Sequence, residues 1–132
     1  MNTLTAQQKL KLWIMRADPE IAVEMEATIP DHPTNGEVDL LWGIMEDAVS
    51  DLVSNLSDAG EATGLPCGRS RHYETESMAR QMDDESWVGW TRYYGGGKHG
   101  EPWSVDWISG AYDVEMTEVI QPVKMFKKVG AE

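Results

Sequence analysis

At 132 residues, with 41% hydrophobic and 26% charged side chains, the chain is long enough for one buried core and too apolar for a disordered segment. A formal net charge of −12 disfavours direct binding to nucleic acid, because phosphates need Lys and Arg to replace their counterions. The lone cysteine, Cys67, excludes an intramolecular disulfide, and no run approaches the roughly 20 apolar residues that span a bilayer.

Thr5-Ala6-Gln7-Gln8 opens the first predicted helix as a capping box, a hydroxyl followed three residues on by Gln. Leu10, Trp13 and Ile14 continue it at helical spacing. Asp18-Pro19 restarts the chain, since Asp caps well and Pro fits the first helical position; a short helix over about 19–27 follows. Pro30 to Gly36 reads as a loop. Val38, Leu41, Trp42, Met45, Val49, Leu52, Val53 and Leu56 then predict a long amphipathic helix over about 37–57. Its outer surface is acidic, with Glu37, Asp39, Glu46, Asp47 and Asp51. Leu40, Ile44 and Ala48 form a second apolar row, which calls for further packing or a partner.

Residues 58–68 read as a glycine-bearing linker. His72 to Met82, the polar turn Asp83-Asp84-Glu85-Ser86 and Trp87 to Tyr94 predict a β-hairpin. Gly95 to Gly100 is a flexible loop, and Glu101 to Tyr112 reads as a short helix. Asp113 to Val129 alternates like a last strand, with Pro122 confining it to an edge or a bulge. The order α-α-α-β-β-α-β predicts an α+β fold in one domain: helices over 1–57 packed on a small antiparallel sheet from 69–129.

Charge is uneven. Residues 1–66 balance at −9 and residues 67–132 at −3. Solubility alone accounts for such a charge; the sharper reading is an acidic face that competes with nucleic acid for a basic protein. Glu46, Asp47 and Asp51, with Trp90 and Trp103 as exposed aromatics, are the candidate partner-binding residues. A second candidate lies at Tyr94-Gly95-Gly96-Gly97-Lys98-His99. Glycines let consecutive amides turn inward as an anion nest, a following helix would aim its positive end there, and Arg92, Lys98 and His99 add donors. The bland alternative is a strand-to-helix connection that needs glycine for its backbone angles. The loop lacks the Walker pattern, because His follows Lys98 where Ser or Thr belongs. His32, His72, His99 and Cys67 show no compact ligand spacing, so no metal or cofactor is expected. His72 with Glu74 on one strand face, or Cys67 with His72, would be the acid–base or nucleophile pairs of an enzyme. A solvated strand pair and an inert cysteine are the plainer readings.

The stretches Ser70-Arg71-His72-Tyr73-Glu74, Trp87-Val88-Gly89-Trp90-Thr91, Tyr94-Gly95-Gly96-Gly97-Lys98-His99-Gly100-Glu101-Pro102 and Asp106-Trp107 resemble small uncharacterised proteins of tailed phages and bacterial prophages. The resemblance covers about residues 69–128. It implies a setting, the cytoplasm of a host bacterium, and carries over no catalytic residue. The leading expectation is therefore a non-enzymatic accessory protein, monomer or homodimer, that binds a host protein and counters a defence system of the restriction or CRISPR kind. No direct nucleic-acid or membrane contact is expected. The alternatives are a nucleotide or phosphate binder at Gly95–Gly100 and a small hydrolase.

Overall fold

The computed structural model describes residues 3–97, 100–119 and 122–130. Thr5 caps the first helix, α1 (Ala6–Ala17): its hydroxyl accepts from the Gln8 amide while the Gln8 carboxamide accepts from the Thr5 amide. Asp18 caps α2 (Pro19–Glu24) by accepting from the Glu20 amide, and Pro19 sits where its missing N–H costs nothing.

The helix expected over 37–57 starts earlier and is divided. Thr34 and Glu37 form a second capping box, so α3 runs Asn35–Met45, and a turn over 46–49 separates it from α4 (Ser50–Leu56). At the break Val49 leaves helical geometry (φ −101°, ψ 12°) while remaining wholly buried beside Met45. The bend brings the end of α4 to two indole donors. Trp107 Nε1 donates to the Val53 carbonyl and Trp90 Nε1 to the Ser57 carbonyl, both at 2.9 Å. Carbonyls in the last helical turn lack intrahelical partners, and here indoles from distant segments satisfy them.

Four strands form one antiparallel sheet in the order β1 (Glu61–Ala62), β2 (Glu74–Gln81), β3 (Trp87–Tyr94), β4 (Tyr112–Val114). The fold is thus α+β, as the element pattern predicts. The hairpin is in register from Glu74↔Tyr94 to Gln81↔Trp87, and its turn closes with Met82 N–H donating to the Ser86 carbonyl at 2.7 Å. The segment read as a linker contributes β1, whose Glu61 and Ala62 pair with Ala79 and Met78.

Two expectations fail in the second half. The only helix in Glu101–Tyr112 is a 3₁₀ turn, Pro102–Ser104, and Tyr112 already begins β4. The last strand ends at Val114, not Val129. Val114 pairs with Trp87, the first residue of β3, and the hairpin turn precedes it. Beyond Val114 the chain has no strand beside it to pair with among the described residues, so alternation alone cannot extend the ladder. Pro122 consequently lies outside the sheet.

The core lies between the helices and one face of the sheet. Leu10, Ile14 and Met15 of α1, Val38, Leu41 and Met45 of α3, and Met78, Val88 and Trp90 of the hairpin are buried together. Trp90 is fully buried between Trp13 and Trp107, with ring centroids 5.7 and 5.4 Å away. Gln7 Nε2 donates to the Ser109 and Ala111 carbonyls, and Lys9 pairs with Asp113 at 3.2 Å, tying the last strand to α1. No described helix is long and apolar enough to cross a membrane.

Candidate functional site

The glycine loop starts where β3 ends. Gly95, Gly96 and Gly97 all have positive φ (74°, 90° and 75°), the left-handed region that glycine enters at no steric cost. The loop then folds onto its own neighbourhood. A Cβ on Gly96 would lie 2.6 Å from the Tyr73 ring, and one on Gly100 would lie 2.8 Å from the Gly96 carbonyl. The Tyr73 hydroxyl accepts from the Glu101 amide at 3.3 Å, and the Gly100 amide donates to Gly97 O at 3.1 Å. Lys98 and His99 lie outside the described residues.

Two supports expected for an anion site at this loop are not there. Among the described residues no α-helix follows, so no helix N-terminus points at it. Arg92 is already engaged. It stands directly opposite Glu76 across the hairpin and bonds that carboxylate at 3.4 Å. It bonds Asp58 at the foot of α4 more closely, and its guanidinium lies 4.6 Å from the centre of the Tyr94 ring. Arg92 and Tyr94 therefore form a structural clamp between the hairpin and α4, not a free phosphate grip.

The enzyme pairings fare no better. His72 precedes β2 and is exposed, as is Glu74, and among the described residues no hydrogen bond joins them. Cys67 Sγ lies 3.5 Å from Thr75 Oγ1, with no bond to His72 among the described residues. Among those residues, too, no cluster of three His, Cys, Asp or Glu side chains is placed to hold a metal ion.

The acidic surface has a different standing. Glu46 and Asp47 lie in the turn between α3 and α4, Asp51 lies in the first turn of α4, and all three are exposed. None forms an ion pair among the described residues. Leu40 and Ile44 share the outward face of α3 with Glu37, because all three fall within about one quadrant of a 3.6-residue helix. Leu40 is 68% exposed and Ile44 46%, so the second apolar row is left without an internal partner. Trp103 is 56% exposed on the 3₁₀ turn, which packs against α4 and β3. Trp90 corrects the expectation made for it. It offers nothing to a partner, because its inward strand position and its bond to Ser57 hold it inside the core.

Sequence reasoning missed a cleft. A hollow of about 640 Å³ opens between α1, the loop over 30–34 and the hairpin turn. Leu4, Leu12, Trp13, Pro33 and Met82 give it an apolar lining, and Asp31, Asp83, Asp84, Lys9 and Arg16 lie around it. Arg16 bonds Asp83 at 3.2 Å and the Pro30 and Asp31 carbonyls at 2.7 and 2.9 Å, which fixes the loop against the helix. Asp84 is partly desolvated, which opposes its ionisation. Hydrogen bonds from the Ser86 hydroxyl and amide, with the field of Lys9, outweigh that effect and hold the carboxyl below its usual range. No local motif marks this cleft, since its walls come from segments some 80 residues apart.

Against known protein families, curated proteins and solved structures, the chain matches none.

Proposed function

We propose that this is a non-enzymatic binding protein whose α3–α4 surface docks on a basic patch of a protein partner. In the setting that the phage and prophage resemblance implies, the partner is a host protein, and the consequence is modulation of a host defence that handles nucleic acid. One observation carries the reading: Leu40 and Ile44 stand exposed on α3 with Glu37, and Glu46, Asp47 and Asp51 lie exposed in the turn and helix that follow, all four carboxylates without ion pairs among the described residues. Apolar side chains supply close contact after desolvation, while the surrounding charge raises the encounter rate and rejects acidic competitors. Trp103, exposed on the turn that packs against α4, adds an aromatic anchor.

Capture from host lysate on immobilised protein tests this with two variants. Leu40→Ser with Ile44→Ser removes the apolar contact, and Glu46→Gln, Asp47→Asn, Asp51→Asn removes the charge. A basic protein that wild type retains, that elutes with rising salt, and that both variants lose supports the reading. The same protein held equally by all three refutes it.

A further inference from the structure

The C-terminal segment is as unusual as the acidic face. Val123, Met125, Phe126 and Val129 are 82, 91, 91 and 97% exposed, and Lys124, Lys127 and Lys128 are interleaved with them. Nine residues, 122–130, thus combine three positive charges with four large apolar side chains and no acid. An apolar run of this kind in water calls for a surface to cover it.

The apolar cleft beside Trp13 has complementary chemistry. It is lined by Leu4, Leu12, Trp13 and Met82; its cations Lys9 and Arg16 are already paired with Asp113 and Asp83, which leaves Asp31 and Asp84 without an ion pair among the described residues. The chain also leaves the sheet next to it. Asp113 of β4 bonds Lys9, a residue of the cleft, and β4 ends one residue later. From Asp113 to Met125 is a tether of twelve residues. Such a tether spans about 40 Å fully extended and about 20 Å on average when flexible. Either length reaches a cleft whose wall begins at the anchor point.

We propose that this cleft is a binding site for a basic, apolar peptide segment, and that its occupant is this chain's own residues 122–130. In the docked state Met125 and Phe126 leave the exposed positions they hold in the structure and fill the hollow against Trp13 and Met82, and the lysines around them face Asp31 and Asp84. The tether decides between the chain's own segment and that of a second copy. A short flexible linker holds its end at an effective concentration of the order of millimolar, about a thousandfold above a second copy at micromolar concentration. This site is separate from the α3–α4 surface, and neither reading depends on the other.

Limited trypsin digestion of the full chain tests the proposal, following cleavage after Lys124, Lys127 and Lys128 by mass spectrometry. Each rate is normalised to that of the urea-unfolded chain, which removes any effect of a substitution on the protease's own preference. Docking slows native cleavage about tenfold, because the protease acts on the open population. Met125→Ser with Phe126→Ser, and separately Asp31→Asn with Asp84→Asn, restore fast cleavage while far-UV circular dichroism stays that of wild type. Wild-type cleavage as fast as in either double variant overturns the proposal. Protection that grows with protein concentration also overturns it, in favour of exchange between copies.

Discussion

Trp90→Phe tests whether the core is held by the indole N–H as well as by ring area. Phe keeps most of the contact with Trp13 and Trp107 but cannot donate to the Ser57 carbonyl, now met at 2.9 Å. Ser57 is only 8% exposed, so water does not readily replace the lost donor. A net hydrogen bond is worth about 1 kcal/mol, and the stranded acceptor raises the total to about 2–3 kcal/mol. The smaller ring leaves a void as well, which brings the expected loss to about 3–4 kcal/mol. With an unfolding entropy of about 2.1 cal/mol/K per residue, each kcal/mol lowers Tm by about 3.6 °C in a chain of this length, so Tm falls by about 11–14 °C. Urea and thermal unfolding followed by far-UV circular dichroism measure both quantities. Trp87→Phe is the control. Trp87 is only half-buried and begins β3, so its loss stays below about 1 kcal/mol. Equal, small losses for the two variants would refute the view that Trp90 is a structural donor.

The glycine loop gives a paired prediction. Gly97→Ala meets no neighbour within 4 Å and pays only for its positive φ, about 1 kcal/mol; Gly96→Ala also strikes the Tyr73 ring and loses at least twice that in thermal unfolding. Arg92→Lys keeps the charge but not the planar fork that meets Asp58, Glu76 and the Tyr94 ring; it destabilises by up to about 1 kcal/mol in urea titration, less at high salt. Asp106 ionises more readily than an ordinary carboxyl, chiefly through the Ser109 hydroxyl, against partial desolvation and with help from the Ser109 and Ile108 amides and the field of Lys11. Its pKa is lowered on folding from 3.8, so its contribution is complete above that value and fades as pH falls through the depressed one. Asp106→Asn should therefore flatten the acid limb of a Tm-against-pH curve below about pH 4, leaving the neutral limb unchanged in slope.

What the sequence made legible is what neighbouring residues decide. The Thr5 and Asp18 caps, the Asp83–Ser86 turn and the hairpin around it depend on residues within a few positions, and all form as read. The failures each need a partner from elsewhere in the chain. The division of the long helix accompanies indoles that reach Val53 and Ser57 from Trp107 and Trp90. Alternation after Asp113 is strand-like, yet β3 has no residue left to pair beyond Trp87. β1 carries no strand signal and exists because Met78 and Ala79 offer it an edge. Of the candidate site residues, Glu46, Asp47, Asp51 and Trp103 lie exposed on adjoining elements, while Trp90 and Arg92 point to internal partners that composition does not reveal.

The two indole bonds at the end of α4 set an order of assembly. Their donors lie 33 and 54 residues further along the chain than the carbonyls they serve. During synthesis the helical half therefore emerges with its last turn incomplete, and it stays so until the second strand of the hairpin and the segment around Trp107 have left the ribosome. Severing the chain within 63–69 would give two fragments that each lack what the other supplies. Despite its glycines and proline, that stretch joins two halves that both indoles tie together.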